Sequence, residues 1–264
     1  MARRHYLRTA LAGTLALALS APAVSSAYAA DTMKSEASES DYSVKAEALV
    51  KNAQYTVDNF SKDHEIAWVH ENIGKVKGIM IVPQEVKGGF ILGGSGGNGV
   101  LLARDGDKWS APAFYTLGSV TFGFQAGAEV SEIVLLVMTD KGMDALKTAD
   151  VKLGGEVSIA AGPVGAGAQA QTADIIAFSR SKGLYGGLNL KGAVVTPRSA
   201  WNAAYYGHEI TPEAILANEG TGMGKASELR QAVANLDLTA DSAATGSIAP
   251  TPADPMTDST TNQP

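Results

Sequence analysis

A chain of 264 residues with 27 acidic against 21 basic side chains carries a net charge of −6, without the basic excess that nucleic-acid binding requires. It has no cysteine, which excludes disulfides, thiolate metal sites, a cysteine nucleophile and a lipobox-type lipid anchor. Four histidines, one of them at His5, leave little basis for a histidine-rich metal site.

The chain opens Met1-Ala2-Arg3-Arg4-His5-Tyr6-Leu7-Arg8, continues through an apolar run from Ala10 to Leu19, and reaches Ala27-Tyr28-Ala29. A basic start, a short apolar stretch and a small-x-small site are the three parts of a secretory signal, so residues 1–29 read as a cleavable signal peptide. The arginine pair followed by an aromatic residue, Leu and Arg resembles the signal of the twin-arginine route, which carries folded proteins across a bacterial inner membrane. Ordinary secretory export with two incidental arginines is the alternative. The apolar run is well short of the roughly 20 residues that a membrane span needs, and no later run is longer, so no transmembrane span is expected. The expected location is periplasmic or exported, with peripheral membrane association.

Residues 30–42 are acidic and serine-rich and read as a flexible spacer. Ala46, Leu49, Val50, Ala53, Val57 and Phe60 recur at intervals of three and four, which predicts a helix with one apolar stripe. A second short helix would hold Ile66, Val69 and Ile73. The period then changes. Apolar runs at Gly78–Val82, Gly89–Gly93, Val100–Arg104, Phe114–Ala128 and Glu132–Thr139 alternate with glycine and proline breaks, as antiparallel strands do. Asp105-Gly106-Asp107 has the residues of a tight hairpin turn. Thr121 to Glu129 alternates cleanly, whereas Ile133–Met138 is apolar throughout, as in a strand covered on both faces. A helix at Lys141–Thr148 precedes a Gly/Ala-rich stretch from Leu153 to Ala170 and strands at Ile175–Ser179 and Leu188–Val195. Helices follow at Trp201–Tyr206, after Thr211-Pro212-Glu213, and at Lys225–Leu236. Residues 237–264, rich in Ser, Thr, Ala, Pro and Asp, read as a disordered tail. The fold class is therefore α+β in residues 43–236, a single domain long enough to bury a substantial interior. Its curved, mainly antiparallel β-sheet, a sandwich or partial barrel, is flanked by N- and C-terminal helices.

Several motifs invite chemistry. Gly93-Gly94-Ser95-Gly96-Gly97 fits the G-x-S-x-G nucleophile elbow, and Gly94 to Gly99 fits the G-x-G-x-x-G dinucleotide fingerprint. Both need a helix to follow, and Val100 to Arg104 is strand-like, so the stretch reads as a glycine-rich connection between antiparallel strands. His64-Glu65 and His70-Glu71 are spaced six apart rather than four, which puts the two histidines on different helix faces and gives no zincin site. Gln125 reads as a hydrogen-bonded sheet residue. No catalytic residue, cofactor or metal site is expected. Cations lie beside aromatics at Lys108-Trp109, Arg180-Ser181-Lys182 with Tyr185, and Arg198 before Trp201, Tyr205 and Tyr206. Such pairs suit a bilayer interface, where rings sit among headgroup carbonyls and cations meet phosphate. The alternative is that the rings are core and the cations ordinary surface, the more common use of aromatics.

Read in order, Lys77 to Pro83, Gly89 to Leu101, Trp109 to Phe114, Gly123-Phe124-Gln125-Ala126-Gly127, Leu153 to Glu156, Ala161 to Gly165, Ser179 to Gly187 and Asn202 to Gly207 resemble the SYLF family of lipid-binding domains, over about residues 45 to 217. The resemblance implies a membrane-associated, non-enzymatic domain. Eukaryotic relatives bind phosphoinositides and some yeast relatives bind actin, ligands that an exported bacterial protein would not meet. The expected function is binding of anionic phospholipid in the periplasm or envelope through Lys75, Lys77, Lys87, Lys108, Trp109, Arg180, Lys182 and Tyr185. A structural or protein-interaction module of the envelope is the alternative, and a serine hydrolase using Ser95 and His208 a third.

Overall fold

The computed structural model describes residues 23–62, 67–89, 92–122, 127–148, 150–162, 172–181, 184–188, 190–219, 221 and 224–245. Residues 1–22 of the signal, His64, Phe90-Ile91, Gly123 to Ala126, Lys182 and the end of the tail therefore lie outside the described residues. Residues from Glu39 onward form one compact unit.

Helix α1 (Ala23–Phe60) includes the stretch read as a spacer, so the backbone of residues 30–42 is helical. Alanine, Met, Glu and Lys are good helix formers, and Lys45 bridges Asp41 one turn earlier at 2.6 Å. The stripe lands as expected: Ala46, Val50, Ala53, Val57 and Phe60 are buried and Leu49 packs beside them. Helix α2 (Ala67–Asn72) and a 3₁₀ turn (Ile73–Lys75) then bury Val69 and Ile73.

The sheet is built from β1 (Gly78–Gly89), β2 (Leu92–Asp105), β3 (Lys108–Trp109), β4 (Ala113–Phe122) and β5 (Gly127–Val137), followed by α3 (Asp140–Thr148). After α3 come β6 (Val151–Lys152), β7 (Ile159–Ala161), β8 (Ile175–Ser181), β9 (Leu184–Gly187) and β10 (Val194–Pro197). Helices α4 (Ser199–Tyr206), α5 (Pro212–Leu216) and α6 (Ser227–Thr245) close the chain. The strand order is β6-β10-β4-β2-β1-β5-β8-β7, with β3 on β2 and β9 on β8. Every pairing is antiparallel except β7 with β8, and the sheet curls into a half-barrel. The α+β class with a curved antiparallel sheet and flanking helices is the fold.

Strand alternation divides the interior. Ile79, Ile81, Val100, Leu102, Phe114, Val134, Leu136, Ile176 and Phe178 point to one face, under α1, α2, α4 and α6. Met80, Val82, Leu101, Tyr115, Leu117, Ile133, Leu135 and Ile175 point to the other, against α3, α5 and β6. The unbroken apolar run at Ile133–Val137 is a strand covered on both sides, as its sequence predicts. The hairpin Asp105-Gly106-Asp107 forms with Gly106 at φ +59°, and Thr211 caps α5 by accepting from the Ala214 N–H at 3.2 Å.

Several strand assignments change: Phe114–Ala128 is divided between β4 and β5, and Gly89–Gly93 joins the end of β1 to the start of β2. The predicted strand at Leu188–Val195 instead falls between β9 and β10, over a turn at Lys191-Gly192, and only Val194 and Val195 belong to a strand. The glycine run Gly93–Gly99 is not a connection: it lies inside β2 and pairs on both sides, with β1 and with β4. The cause is a bulge in β1 between Ile81 and Gln84, which drives its backbone against β2. A Cβ on Gly97 would sit 2.5 Å from the Gln84 carbonyl oxygen, and one on Gly99 would sit 2.8 Å from that of Ile81. Glycine there serves close backbone approach.

Candidate functional site

The predicted lipid contacts fall in different places. Lys75, Lys77 and Lys108 lie at the end of the sheet where β1 begins and β2 finishes. Lys77 is paired with Asp140 at 3.2 Å, and Lys75 donates to Asn72 at 3.0 Å. Lys87 is ten residues farther along the chain, on the order of 30 Å away at strand rise. Arg180 bonds Glu132 at 3.2 Å across β8 and β5. The backbone of Tyr185 pairs with Arg180 in β9. Trp109 is a core ring, 2 % exposed, with Arg104 over its face at 5.0 Å and the Arg230 Nε–H donating to its carbonyl at 2.7 Å. The core use of this ring, weighed above against the interface, is what burial shows.

The catalytic alternatives find no assembly among the described residues. Ser95 stands in β2, hydrogen-bonded to the Ser119 hydroxyl at 2.8 Å, with no helix behind it. His208 follows α4, and its Nδ1 lies 3.2 Å from the Tyr206 carbonyl oxygen. His70 in α2 is half-buried, and that burial lowers its pKa. No group of three potential metal ligands occurs among the described residues. Asp174 is the most heavily satisfied carboxylate. Burial pushes its pKa up, but the Ser158 N–H, the Thr139 and Ser158 hydroxyls and Lys141 outweigh that and hold it well below the usual carboxylate range. It ties α3, β7 and β8 together.

A coherent surface does form beyond the two cores. Val86 pairs with Val130 and with Gly96, Gly96 with Gly118, and Gly118 with Val194. Directly paired residues share a face, so these five make one transverse row across β5, β1, β2, β4 and β10. Val86 is 49 % exposed, Val130 53 % and Val194 37 %. The next row inward is polar: Arg180 and Glu132 at one end, then Gln84, Asn98, Thr116 and Thr196. Helix α1 runs parallel to these rows, because Tyr42 stacks on Trp201 at 6.5 Å near β4 while Phe60 meets Phe178 of β8 at 5.5 Å. Tyr55, also about half exposed, and Val130 and Arg180 line a cavity of about 450 Å³ between α1 and the sheet.

At the far end of the polar row stands Arg198. Its guanidinium lies over Trp201 at 4.1 Å, and Nη1 donates to Asn98 Oδ1 at 2.8 Å and Thr116 Oγ1 at 3.3 Å. Burial lowers its pKa and Tyr42 raises it.

Residues 118–236 match the family model described as Ysc84, Las17-binding protein actin regulator. The chain is thus similar to the Ysc84/SYLF family over that stretch. It is 32 % identical over 164 residues to the SH3 domain-containing YSC84-like protein 1 of Bos taurus, covering 60 % of this chain and 48 % of that protein. The Homo sapiens protein of the same name is 31 % identical over the same length and the same shares of each chain. LAS seventeen-binding protein 3 of Saccharomyces cerevisiae is 34 % identical over 155 residues, 54 % of this chain and 33 % of that protein. The chain thus spans about half the length of the vertebrate relatives it matches. No solved structure matches it. The family is one of regulatory and binding proteins. The valine row was not singled out by the sequence, because a single valine gains meaning only when strand register sets it beside others, and Arg198, noted beside Trp201, was not among the predicted lipid contacts. No helix of the described residues is long and apolar enough to cross a membrane.

Proposed function

We propose that this SYLF-like domain is a non-catalytic module that docks on anionic phospholipid surfaces of the bacterial envelope. The row Val130, Val86, Gly96, Gly118 and Val194 carries the reading: an exposed apolar band on an ordered sheet, with arginines one row behind it, matches the apolar-then-cationic layering of a membrane interface. Of the cations that the sequence offered, Arg180 stands one row behind it on the same face, whereas Lys87 pairs with Ser95 and Glu129 and faces the other side. The signal features of residues 1–29 support export by the twin-arginine route. Replacing Arg3 and Arg4 together by lysine is expected to retain the precursor in the cytoplasm, and unchanged export would overturn that routing.

The lipid reading is tested by floating the full chain with vesicles of phosphatidylglycerol or cardiolipin at low salt. Wild type co-floats and Val86→Asp/Val130→Asp does not. Equal flotation of the two, or none by wild type, overturns it. The N-terminal segment is common to both chains and drops out of the comparison. A protein partner is the second reading, supported by the family's description as Las17-binding. Cross-linking in whole cells that captures one stoichiometric protein through Val86 or Val130, with no flotation, would favour it.

A further inference from the structure

Arg198 is fixed more firmly than a surface arginine needs to be. Its N–H donates to the Phe114 carbonyl at 2.8 Å, and its own carbonyl accepts from Trp201 and Asn202 at 3.0 and 2.9 Å. The side chain is half-buried, flat on an indole, with one edge held by two neutral oxygens. Among the described residues no carboxylate bridges it, whereas Lys45, Lys77, Lys141, Lys147 and Arg180 each have an acidic partner. A partly dehydrated cation held in one orientation without a counter-ion carries a desolvation cost that an oxyanion would offset. A guanidinium fork suits phosphate better than an ammonium would.

Its place on the sheet specifies the ligand further. Nη1 lies over Asn98 and Thr116, two residues along β2 and β4 from Gly96 and Gly118. Two residues of strand are about 7 Å, so the cation stands one row behind the apolar band. A Cβ on Gly118 would meet nothing within 4 Å, so the floor of that band is open.

We propose that Arg198 is the phosphate-binding residue of this surface: its outer guanidinium edge takes the phosphodiester oxygens of a bilayer phospholipid while Asn98 and Thr116 hold the inner edge and the acyl region lies on the valine–glycine row. The inference rests on the lipid reading and assigns the residue that recognises the headgroup. Free phosphate offers the same oxyanion, and the test separates the two sources.

The full chain is titrated with vesicles of phosphatidylglycerol and of phosphatidylcholine, as wild type, Arg198→Gln, Arg198→Lys and Lys147→Gln. Wild type binds phosphatidylglycerol. Arg198→Gln lowers that affinity about tenfold, the size of one charge-assisted contact, and Arg198→Lys recovers only part of it. Lys147→Gln, a cation of α3 on the opposite face of the sheet, changes it less than about twofold. Millimolar inorganic phosphate leaves wild-type vesicle binding in place. Wild-type affinity in Arg198→Gln overturns the assignment while leaving the lipid reading standing, and absence of wild-type binding to any vesicle overturns both. An equal loss in Lys147→Gln assigns the effect to diffuse charge, and displacement by inorganic phosphate assigns a free-phosphate site; either overturns the proposal. Should Arg198→Gln fail to fold, the Nε–H resonance of Arg198 in wild type replaces it: a shift on adding short-chain phosphatidylglycerol supports the site, and an unmoved resonance overturns it.

Discussion

Strands β1, β2, β4 and β5 are two structures along one length. In the half nearest α3 both faces are covered, and Ile79, Met80, Ile81, Leu101, Phe114 and Leu136 are sealed from solvent. In the other half the same alternation continues, yet Val86 and Val130 stand about half exposed on one face while Ser95, Ser119, Glu129 and Ser181 bond across the other. The residue types differ, aliphatic and aromatic in the first half and mainly glycine, serine and charged in the second, with Val86 and Val130 set among them. Helix α1 crosses the strands over the first half and leaves the second uncovered. An exposed ordered apolar band therefore reflects where the helix is laid.

The contrast can be broken most sharply at Phe114, which touches Trp201 and Tyr205 in the covered half. Phe114→Ala should lower unfolding free energy by about 4 kcal/mol in urea titrations, whereas Val86→Ser in the open half should change it by less than about 0.5 kcal/mol. Asp174→Ala comes next, at about 3 kcal/mol near neutral pH, because it strands the Ser158 N–H and unpairs Lys141. Asp174 has a folded pKa below its unfolded value, so its contribution is present above about pH 4 and is lost as pH falls below that. Wild type and Asp174→Ala should accordingly converge in thermal stability between about pH 4 and pH 2, and parallel curves would contradict the assignment.

Glycines sharpen the comparison on a smaller scale. Gly97→Ala forces a Cβ onto the Gln84 carbonyl and should cost about 2 kcal/mol. Gly118→Ala enters open space and should lie within about 0.5 kcal/mol of wild type, although both glycines sit on neighbouring strands in the same distal half. Equal effects at the two positions would mean that the β1 bulge is not what requires glycine at 97.

Much of the fold was legible along the chain. The stripe from Ala46 to Phe60, the Thr211-Pro212 helix start and the two-residue turn at Gly106 each depend on contacts within a few residues, and each stands where predicted. The site was less legible. Cations chosen because an aromatic lay next to them were divided between opposite ends of the sheet, and Trp109 turned inward, because adjacency in sequence does not say which face a ring takes.

Length, charge, the missing cysteines and the ordered series of motifs determined by themselves that this is a disulfide-free α+β domain similar to the SYLF family, since composition and period act locally and motif order survives without coordinates. Only the tertiary structure decided that Gly93–Gly99 is strand, that three distant valines and two glycines form one row, and that Arg198 bonds Asn98 and Thr116 one row behind them. The reason is register: a bulge in β1 and the path of α1 set which residues of separate strands become neighbours, and period within one strand carries no information about its alignment with the next.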